Sequence, residues 1–275
     1  MKKFVIMVVV LLGCAGLAFS QGGVKKKRVL PYEYGNVLID NYASKAGLNP
    51  VVFEHWVHRS KFTCRLCHVD IGFAMKAGET KIKAADNMKG YFCGACHNGK
   101  LAVPGKGGTI FAACSSQFGK DDMKRCGRCH SVDKNATERN ARREQREQEF
   151  RRFAEKMPRE RFGNEINWEQ AEVKGLVKLT DFLEGVSMKR AALADQKDFS
   201  IGSKVEGVPD ITFSHKKHTV WNGCEVCHPD IFIGVKRGTD KYSMVELFDG
   251  KYCGVCHDKV AFPQTDCQRC HTKPV

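Results

Sequence analysis

Residues 53–68 read FEHWVHRSKFTCRLCH and residues 213–228 read FSHKKHTVWNGCEVCH, so one pattern occurs twice at an offset of 160 residues. In both copies a Phe precedes two histidines spaced H-x-x-H, and the sequence C-x-x-C-H follows. Self-similarity at a fixed offset indicates an internal repeat. The chain is therefore expected to contain two related modules.

Four further C-x-x-C-H motifs bring the total to six, which use 12 of the 14 cysteines in the 275-residue chain. Two thiols separated by two residues can add to the two vinyl groups of one porphyrin, and the next histidine then becomes the proximal iron ligand. A single C-x-x-C pair also occurs in zinc and thioredoxin-like sites, but six copies that all end in His predict six covalently bound haem c groups. The six motifs are Cys64-Cys67-His68, Cys93-Cys96-His97, Cys126-Cys129-His130, Cys224-Cys227-His228, Cys253-Cys256-His257 and Cys267-Cys270-His271.

Each haem iron takes two axial ligands, and the number of histidines limits how the second ligand can be supplied. The motifs use six of the ten histidines, which leaves His55, His58, His215 and His218. At most four haems can therefore have two histidine ligands. We expect the two H-x-x-H pairs to be distal ligands, because both lie at the same distance before a haem motif.

The N-terminal residues 1–20 have the features of a signal peptide. Two lysines precede an uncharged apolar stretch, residues 4–17, and small residues then stand where a signal peptidase would cleave. This stretch is shorter than a usual membrane span. The alternative is a lipoprotein, because residues 11–14 read LLGC and resemble a lipobox in which Cys14 would be lipidated. Both alternatives predict export, to the periplasm or the cell envelope.

The spacing of the motifs groups them into two sets of three. Cys64 to Cys93 and Cys224 to Cys253 are both 29 residues, whereas the third motif follows after 33 residues in the first set and after 14 in the second. The longer loop of the first set contains Gly105, Gly107, Gly108 and Cys114. Three roles for Cys114 remain open, namely a buried thiol, a haem ligand or an intermolecular link.

An H-x-x-H pair followed by three C-x-x-C-H motifs resembles the triheme cytochrome c7 family, relatives of the class III multihaem cytochromes. The likeness covers about residues 36–131 and 198–272. It implies a mostly irregular fold with short α-helices and small β-hairpins, in which two haem-cored triheme modules are joined by a helical linker. The expected parts are the signal peptide, module 1 (residues 21–131), the linker (residues 132–197) and module 2 (residues 198–275). The expected hairpins pair residues 36–40 with 51–53 and residues 199–203 with 210–213.

The resemblance also implies how the histidines pair at iron. The implied pairs are His55 with His68, His58 with His97, His215 with His228, and His218 with His257. In the family a further His before the second motif serves the third haem, and this chain has none there in either module. Met88 and Met244 are the candidate sixth ligands for the haems of His130 and His271. Two alternatives stay open, that these methionines fill the core or that the third irons keep water or an open site.

The linker contains no Cys or His and is rich in Arg and Glu. Apolar residues at helical spacing predict an amphipathic helix over residues 137–157 that ends before Pro158, and Asn167 followed by Gln170 predicts the start of a second helix near Trp168. One interpretation is a spacer that packs one stripe on a module. The other is a docking helix for a membrane surface or a partner.

Composition and charge narrow the function. With 42% hydrophobic and 28% charged residues, the chain is not expected to form a large apolar core. Its net charge of +14 favours acidic or anionic partners. We expect redox partner proteins or other multihaem cytochromes, with a membrane surface or lipid anchor as an alternative and no nucleic acid. The predicted function is a non-enzymatic electron relay in the bacterial cell envelope, and the resemblance implies a setting in anaerobic or metal-reducing respiration. The alternative is a reductase of a small oxyanion or nitrogen oxide, at a haem that lacks a distal His.

Overall fold

The computed structural model describes residues 28–102, 108–114, 123–130, 135–191, 197–233, 238 and 241–273. The predicted signal peptide, Cys14 included, lies outside these ranges. By its internal contacts the chain divides into Met1–Leu30, of which residues 28–30 are described, and Pro31–Val275, which contains every haem motif.

Most of the described backbone is irregular, and nearly all helices and strands are short. The α-helices are His55–Arg59, Ala84–Met88, Cys93–Cys96, Met123–Cys126, Ala136–Ala154, Trp168–Val173, His215–Asn222 and Met244–Phe248. The other helices are Ser44–Ala46, Leu66–Asp70, Tyr252–Val255 and Cys267–Arg269, and the strands are Asn36–Ile39, Val51–Glu54, Phe199–Ile201, Asp210–Phe213 and His271–Lys273. In the described part of the chain, no helix has the length and apolar character needed to cross a membrane.

Both predicted β-hairpins are present. Asn36–Ile39 pairs antiparallel with Val51–Glu54, and Phe199–Ile201 pairs antiparallel with Asp210–Phe213. The helix that carries the H-x-x-H pair begins directly after the second strand in module 1 and one residue after it in module 2. The hairpin therefore positions the first candidate ligand of its module.

The two linker helices follow their capping residues. The first spans Ala136–Ala154, so it ends three residues earlier than predicted, and the Asn135 side chain accepts a hydrogen bond from the Glu138 amide at its start. The second begins at Trp168, where the Asn167 side chain accepts from the Gln170 amide as expected. These caps satisfy amides that have no partner within the helix.

The linker supplies most of the apolar core. Seven of the 12 buried hydrophobic residues in the described ranges belong to it, namely Phe150, Ala154, Ile166, Trp168, Ala171, Val177 and Leu183. The rings of Trp56 in module 1 and Trp221 in module 2 lie 5.2 Å from Phe153 and 6.2 Å from Trp168, respectively. The linker therefore packs against both modules, whereas the spacer interpretation required contact with only one.

Candidate haem-binding sites

Three of the expected histidine pairs lie at one characteristic separation. The ring centroids are 6.5 Å apart for His55 and His68, and 6.2 Å apart for His58 and His97. In module 2 they are 6.4 Å apart for His218 and His257. Two imidazoles on opposite sides of one metal ion, each with a metal–nitrogen bond of about 2 Å, would have centroids roughly 6 Å apart. The separation in all three pairs therefore fits one iron between the two rings.

A phenylalanine holds each H-x-x-H pair in the same way. Phe53 stacks on His58 at 4.5 Å and meets His55 edge-on at 4.8 Å. Phe213 makes the same two contacts in module 2, at 4.5 Å and 5.0 Å. Because both histidines of a pair contact one ring, the phenylalanine orients two candidate ligands at once.

Backbone carbonyls set the tautomer of nine of the ten histidines. A carbonyl oxygen can only accept a hydrogen bond, so Nδ1 must carry the proton and Nε2 keeps its lone pair for a metal. The bonds run from His55 to Gly35 (2.6 Å), His58 to Glu54 (3.3 Å), His68 to Phe73 (2.9 Å), His130 to Asn49 (2.8 Å), His215 to Lys197 (3.2 Å), His218 to Ser214 (2.7 Å), His228 to Phe232 (2.7 Å), His257 to Phe262 (2.9 Å) and His271 to Pro209 (2.7 Å).

His97 is the exception. Among the described residues, none forms a good hydrogen bond with its buried Nδ1. The backbone of Phe111 approaches closely enough to raise the pKa of His97 in part, against the larger lowering by burial. Phe111 lies in the longer loop of module 1. In module 2 the histidine that corresponds to His97 is His257, and its Nδ1 donates to the carbonyl of Phe262. The difference in loop length therefore changes the support of this one candidate ligand.

Burial keeps several of the candidate ligands neutral. Desolvation lowers the pKa of His55, His58 and His257 to about 4, and it also lowers the pKa of His68 and His218. A neutral imidazole is the form that binds a metal. These side chains are therefore ready to ligate without losing a proton first.

The cysteines are available for attachment. None of the 13 described cysteines forms a disulfide. Burial raises the pKa of Cys67, Cys93 and Cys256 to about 12, so these thiols are protonated at neutral pH. Protonated thiols beside histidines with a free Nε2 fit covalently attached haem c.

The third motif is anchored identically in the two modules, although its distance from the second motif differs. His130 bridges to Val51, and His271 pairs with Ile211, the residue 160 positions after Val51. The ring of His130 donates to the carbonyl of Asn49 and that of His271 to the carbonyl of Pro209, and these acceptors are also 160 positions apart. A loop of either length therefore brings the third histidine to the end of the hairpin.

Sixth ligands at the third sites stay a prediction. Met88 is 47% exposed and lines a cavity of about 370 Å³ with His97, and His130 is not among the lining residues. Met244 is 40% exposed and is the first residue of its helix. Cys114 lines the same cavity as Met88, where the Asn87 side chain donates to its sulfur at 3.9 Å.

Two glycines that sequence reasoning missed bring a helix against the second motif of each module. A Cβ on Gly94 would lie 1.9 Å from the Asn87 carbonyl oxygen, and a Cβ on Gly254 would lie 2.0 Å from that of Leu247. The signal was present in the sequence, because the residue after the first cysteine of the second motif is Gly in both modules. Only glycine permits this approach of the backbone.

Charged pairs connect the first motifs of the two modules, and sequence reasoning missed these as well. Arg65, inside the first motif, forms an ion pair with Asp181 of the linker and approaches Glu225, inside the fourth motif, at 3.6 Å. Arg190 of the linker binds Asp70 at 2.7 Å and Glu225 at 2.8 Å. These ion pairs join residues that are far apart in the sequence, so no local sequence pattern could have predicted them.

Comparison with known proteins places this geometry in a family. The model of cytochrome c7 and related cytochrome c matches residues 51–131 and 211–272, which is just over half of the chain. No curated protein sequence matches.

Solved structures of the same kind are similar to this chain. A c7-type three-heme cytochrome domain is 36% identical and covers 28% of this chain and 95% of its own, with a TM-score of 0.26. The C-terminal and N-terminal hexaheme fragments of GSU1996 are 24% and 22% identical, and each covers 86% of this chain. They cover 97% and 98% of their own chains, with TM-scores of 0.25 and 0.24. With three motifs in each matched segment, the chain belongs to the family of cytochrome c7 and related cytochromes c, as a multihaem c-type cytochrome with six covalently bound haem c groups.

Proposed function

We propose that this cytochrome is an electron relay in which the chain closes most of its irons to exogenous ligands. When bound, haem c supplies reversible one-electron exchange between Fe(III) and Fe(II). The observation that carries the proposal is the set of histidine pairs at 6.2–6.5 Å, in which a carbonyl holds Nδ1 of every ring except that of His97. An iron with two histidine ligands has no position left for a substrate.

The proposed ligand sets follow the two modules. His55 and His68, His58 and His97, His215 and His228, and His218 and His257 hold four irons, and His130 and His271 are the proximal ligands of the other two. We propose Met244 as the sixth ligand at His271 and Met88 at His130. The histidine assignments are supported by the equal spacing of the H-x-x-H pairs and of the first two motifs in the two modules. They are also supported by the equivalent hydrogen bonds of His58 and His218, and of His130 and His271.

The proposed setting is the periplasm or the outer face of the cell envelope of a bacterium with anaerobic or metal-reducing respiration. The N-terminal targeting pattern supports export, with or without a lipid anchor at Cys14. The basic composition favours acidic redox partners, which include other multihaem cytochromes, through salt-sensitive steering. Exchange with such a partner should therefore slow as ionic strength rises.

The test of the relay function is the ligation of the irons. We expect low-temperature EPR of the oxidised protein to show low-spin iron, and His58→Ala to convert one iron to a high-spin or differently ligated form. His58 is chosen because its ring is 6.2 Å from that of His97. Phe53→Leu is the matched control, because it disturbs the packing of His58 without removing a nitrogen ligand.

Two outcomes would contradict the relay. One is an unchanged spectrum in His58→Ala, which would exclude this histidine as a ligand. The other is multiple-turnover oxidation of the reduced wild-type protein by nitrite or hydroxylamine, which would favour the reductase. The place for such chemistry would be the third sites, where His130 and His271 have no second histidine.

A further inference from the structure

Arg59 connects the two modules beside their haem sites. It ends the helix that carries His55 and His58, and its guanidinium donates a hydrogen bond to the carbonyl of Val260 in module 2. The guanidinium also lies over the rings of Trp168, at 4.2 Å, and Trp221, at 5.1 Å. One side chain of module 1 thus contacts the linker and module 2 together.

The segment that Arg59 reaches follows directly after the motif of Cys253, Cys256 and His257. The Tyr34 hydroxyl donates to the Ala261 carbonyl at 2.5 Å. A Cβ on Gly35 would lie 3.4 Å from the Lys259 carbonyl oxygen and 3.7 Å from the Cβ of His55. Since the Gly35 carbonyl accepts from His55, the support of a candidate ligand in module 1 rests against the second motif of module 2.

The guanidinium is an enclosed cation. Some of the residue is exposed, and an arginine side chain stays protonated at neutral pH. It interacts electrostatically with the thiols of Cys64 and Cys256, and with Tyr34 and Glu160. Glu160 is engaged by Arg269, and thiols that have become thioethers carry no charge. The positive charge at this junction is therefore only partly offset.

We propose that Arg59 is a positioning residue that sets the reduction potentials of the two haems attached through Cys64 and Cys256, and that electrons cross between the modules at this pair. The proposal rests on the relay function. Addition of one electron to Fe(III) makes each site one unit more negative, and a nearby cation in a low-dielectric setting stabilises that state. Two haems, one from each module, should therefore have raised potentials.

The test compares three variants by spectroelectrochemical titration of the fully loaded protein. Arg59→Gln removes the charge but can still donate to the Val260 carbonyl. We expect the reduced-to-oxidised ratio of two haems at a fixed potential to fall roughly tenfold, or about 59 mV for a one-electron couple. Arg59→Lys, which keeps the charge, should retain potentials near those of the wild type. Arg151→Gln is the matched control, because Arg151 is 63% exposed and pairs only with Glu147 among the contacts described.

Several results would overturn the proposal. Unchanged potentials in Arg59→Gln, or an equal shift of all six haems, would show that the charge does not act at this pair. If Arg59→Gln does not load haem, Arg59→Met replaces it as the neutral variant. Methionine keeps an aliphatic side chain against Trp168 and Trp221. Loss of haem loading in both neutral variants would also overturn the proposal, because Arg59 would then be required for assembly rather than for the reduction potentials. Six haems with intact low-spin spectra and unshifted potentials would reject this inference and leave the relay standing.

Discussion

At the scale of single residues, the backbone prepares the candidate ligands. Apart from His97, the acceptor for each Nδ1 is a backbone carbonyl, which any residue type can supply. No side-chain pattern in the sequence therefore indicates which carbonyl accepts the bond. Sequence reasoning could therefore predict which histidines pair, from spacing and family likeness, but not what holds each tautomer. Arg59 was missed for a related reason, since an arginine beside a histidine becomes informative only when Val260, 201 residues away, lies against it.

The clearest prediction for single residues concerns Gly94 and Gly254. Gly94→Ala and Gly254→Ala should each lower the free energy of unfolding by about 3 kcal/mol, the upper end of the usual range for overpacking, because the new methyl group would clash with a backbone carbonyl oxygen. Thermal unfolding and mass spectrometry of the attached haems measure the effect, with loss of haem expected at the motif concerned. Gly202→Ala is the control, since a Cβ there would lie 3.9 Å from Oδ1 of Asp210, which is ordinary van der Waals contact. Equal stability of all three variants would contradict the close approach.

At the scale of elements, the hairpin and the third motif form one unit in each module. A 33-residue and a 14-residue separation lead to the same pairing of His130 with Val51 and of His271 with Ile211. The hairpins were predictable, because they are local and the family likeness placed them. The added strand His271–Lys273 was not, because its partner is about 60 residues away.

The prediction for elements concerns the helices Ala84–Met88 and Met244–Phe248, which occupy the same place in the two modules. Met244 is the first residue of its helix and Met88 is the last residue of the other, so the two methionines lie at opposite ends of equivalent helices. If both reach iron, the two third haems should titrate at higher potential than the others, because a thioether favours Fe(II).

The measurement is carbon monoxide binding to the reduced protein. Wild-type protein should bind none rapidly, and Met244→Ala should bind carbon monoxide at one haem. Met188→Ala, at a methionine that is 67% exposed, is the matched control. Rapid binding in the wild type would show that at least one third site is open.

At the scale of the whole molecule, the six motifs predicted the cofactors, and the family resemblance that they carry implied the fold class. The residues that attach each haem lie within a few positions of one another, so the sequence alone reveals them. The apolar centre was not predictable in this way, because the linker helices pack through Trp168 and Phe153 against aromatic rings of both modules. Such packing depends on residues that are distant in sequence and follow no period.

The prediction for the whole molecule concerns the separability of module 2. Residues 198–275 alone should attach three haems and remain soluble, because haem itself supplies much of the interior. Residues 135–275 should unfold at a higher temperature, because they retain the contact of Trp168 with Trp221, worth about 1 kcal/mol, and the ion pair of Glu160 with Arg269. Thermal unfolding and mass spectrometry would measure both fragments. A fully loaded shorter fragment that aggregates would show that the halves are inseparable.

The ion pair of Arg65 and Glu225 has a consequence for the history of the repeat. The two residues are 160 positions apart, so they are counterparts in the two copies, and they carry opposite charges. A tandem of two identical modules would bring two arginines or two glutamates together at this contact, and like charges in a partly buried setting repel. The present docking therefore required the copies to diverge in sign after duplication. The same asymmetry makes the order of the modules matter, because exchanging their positions would remove the partners that the linker residues Asp181 and Arg190 now provide.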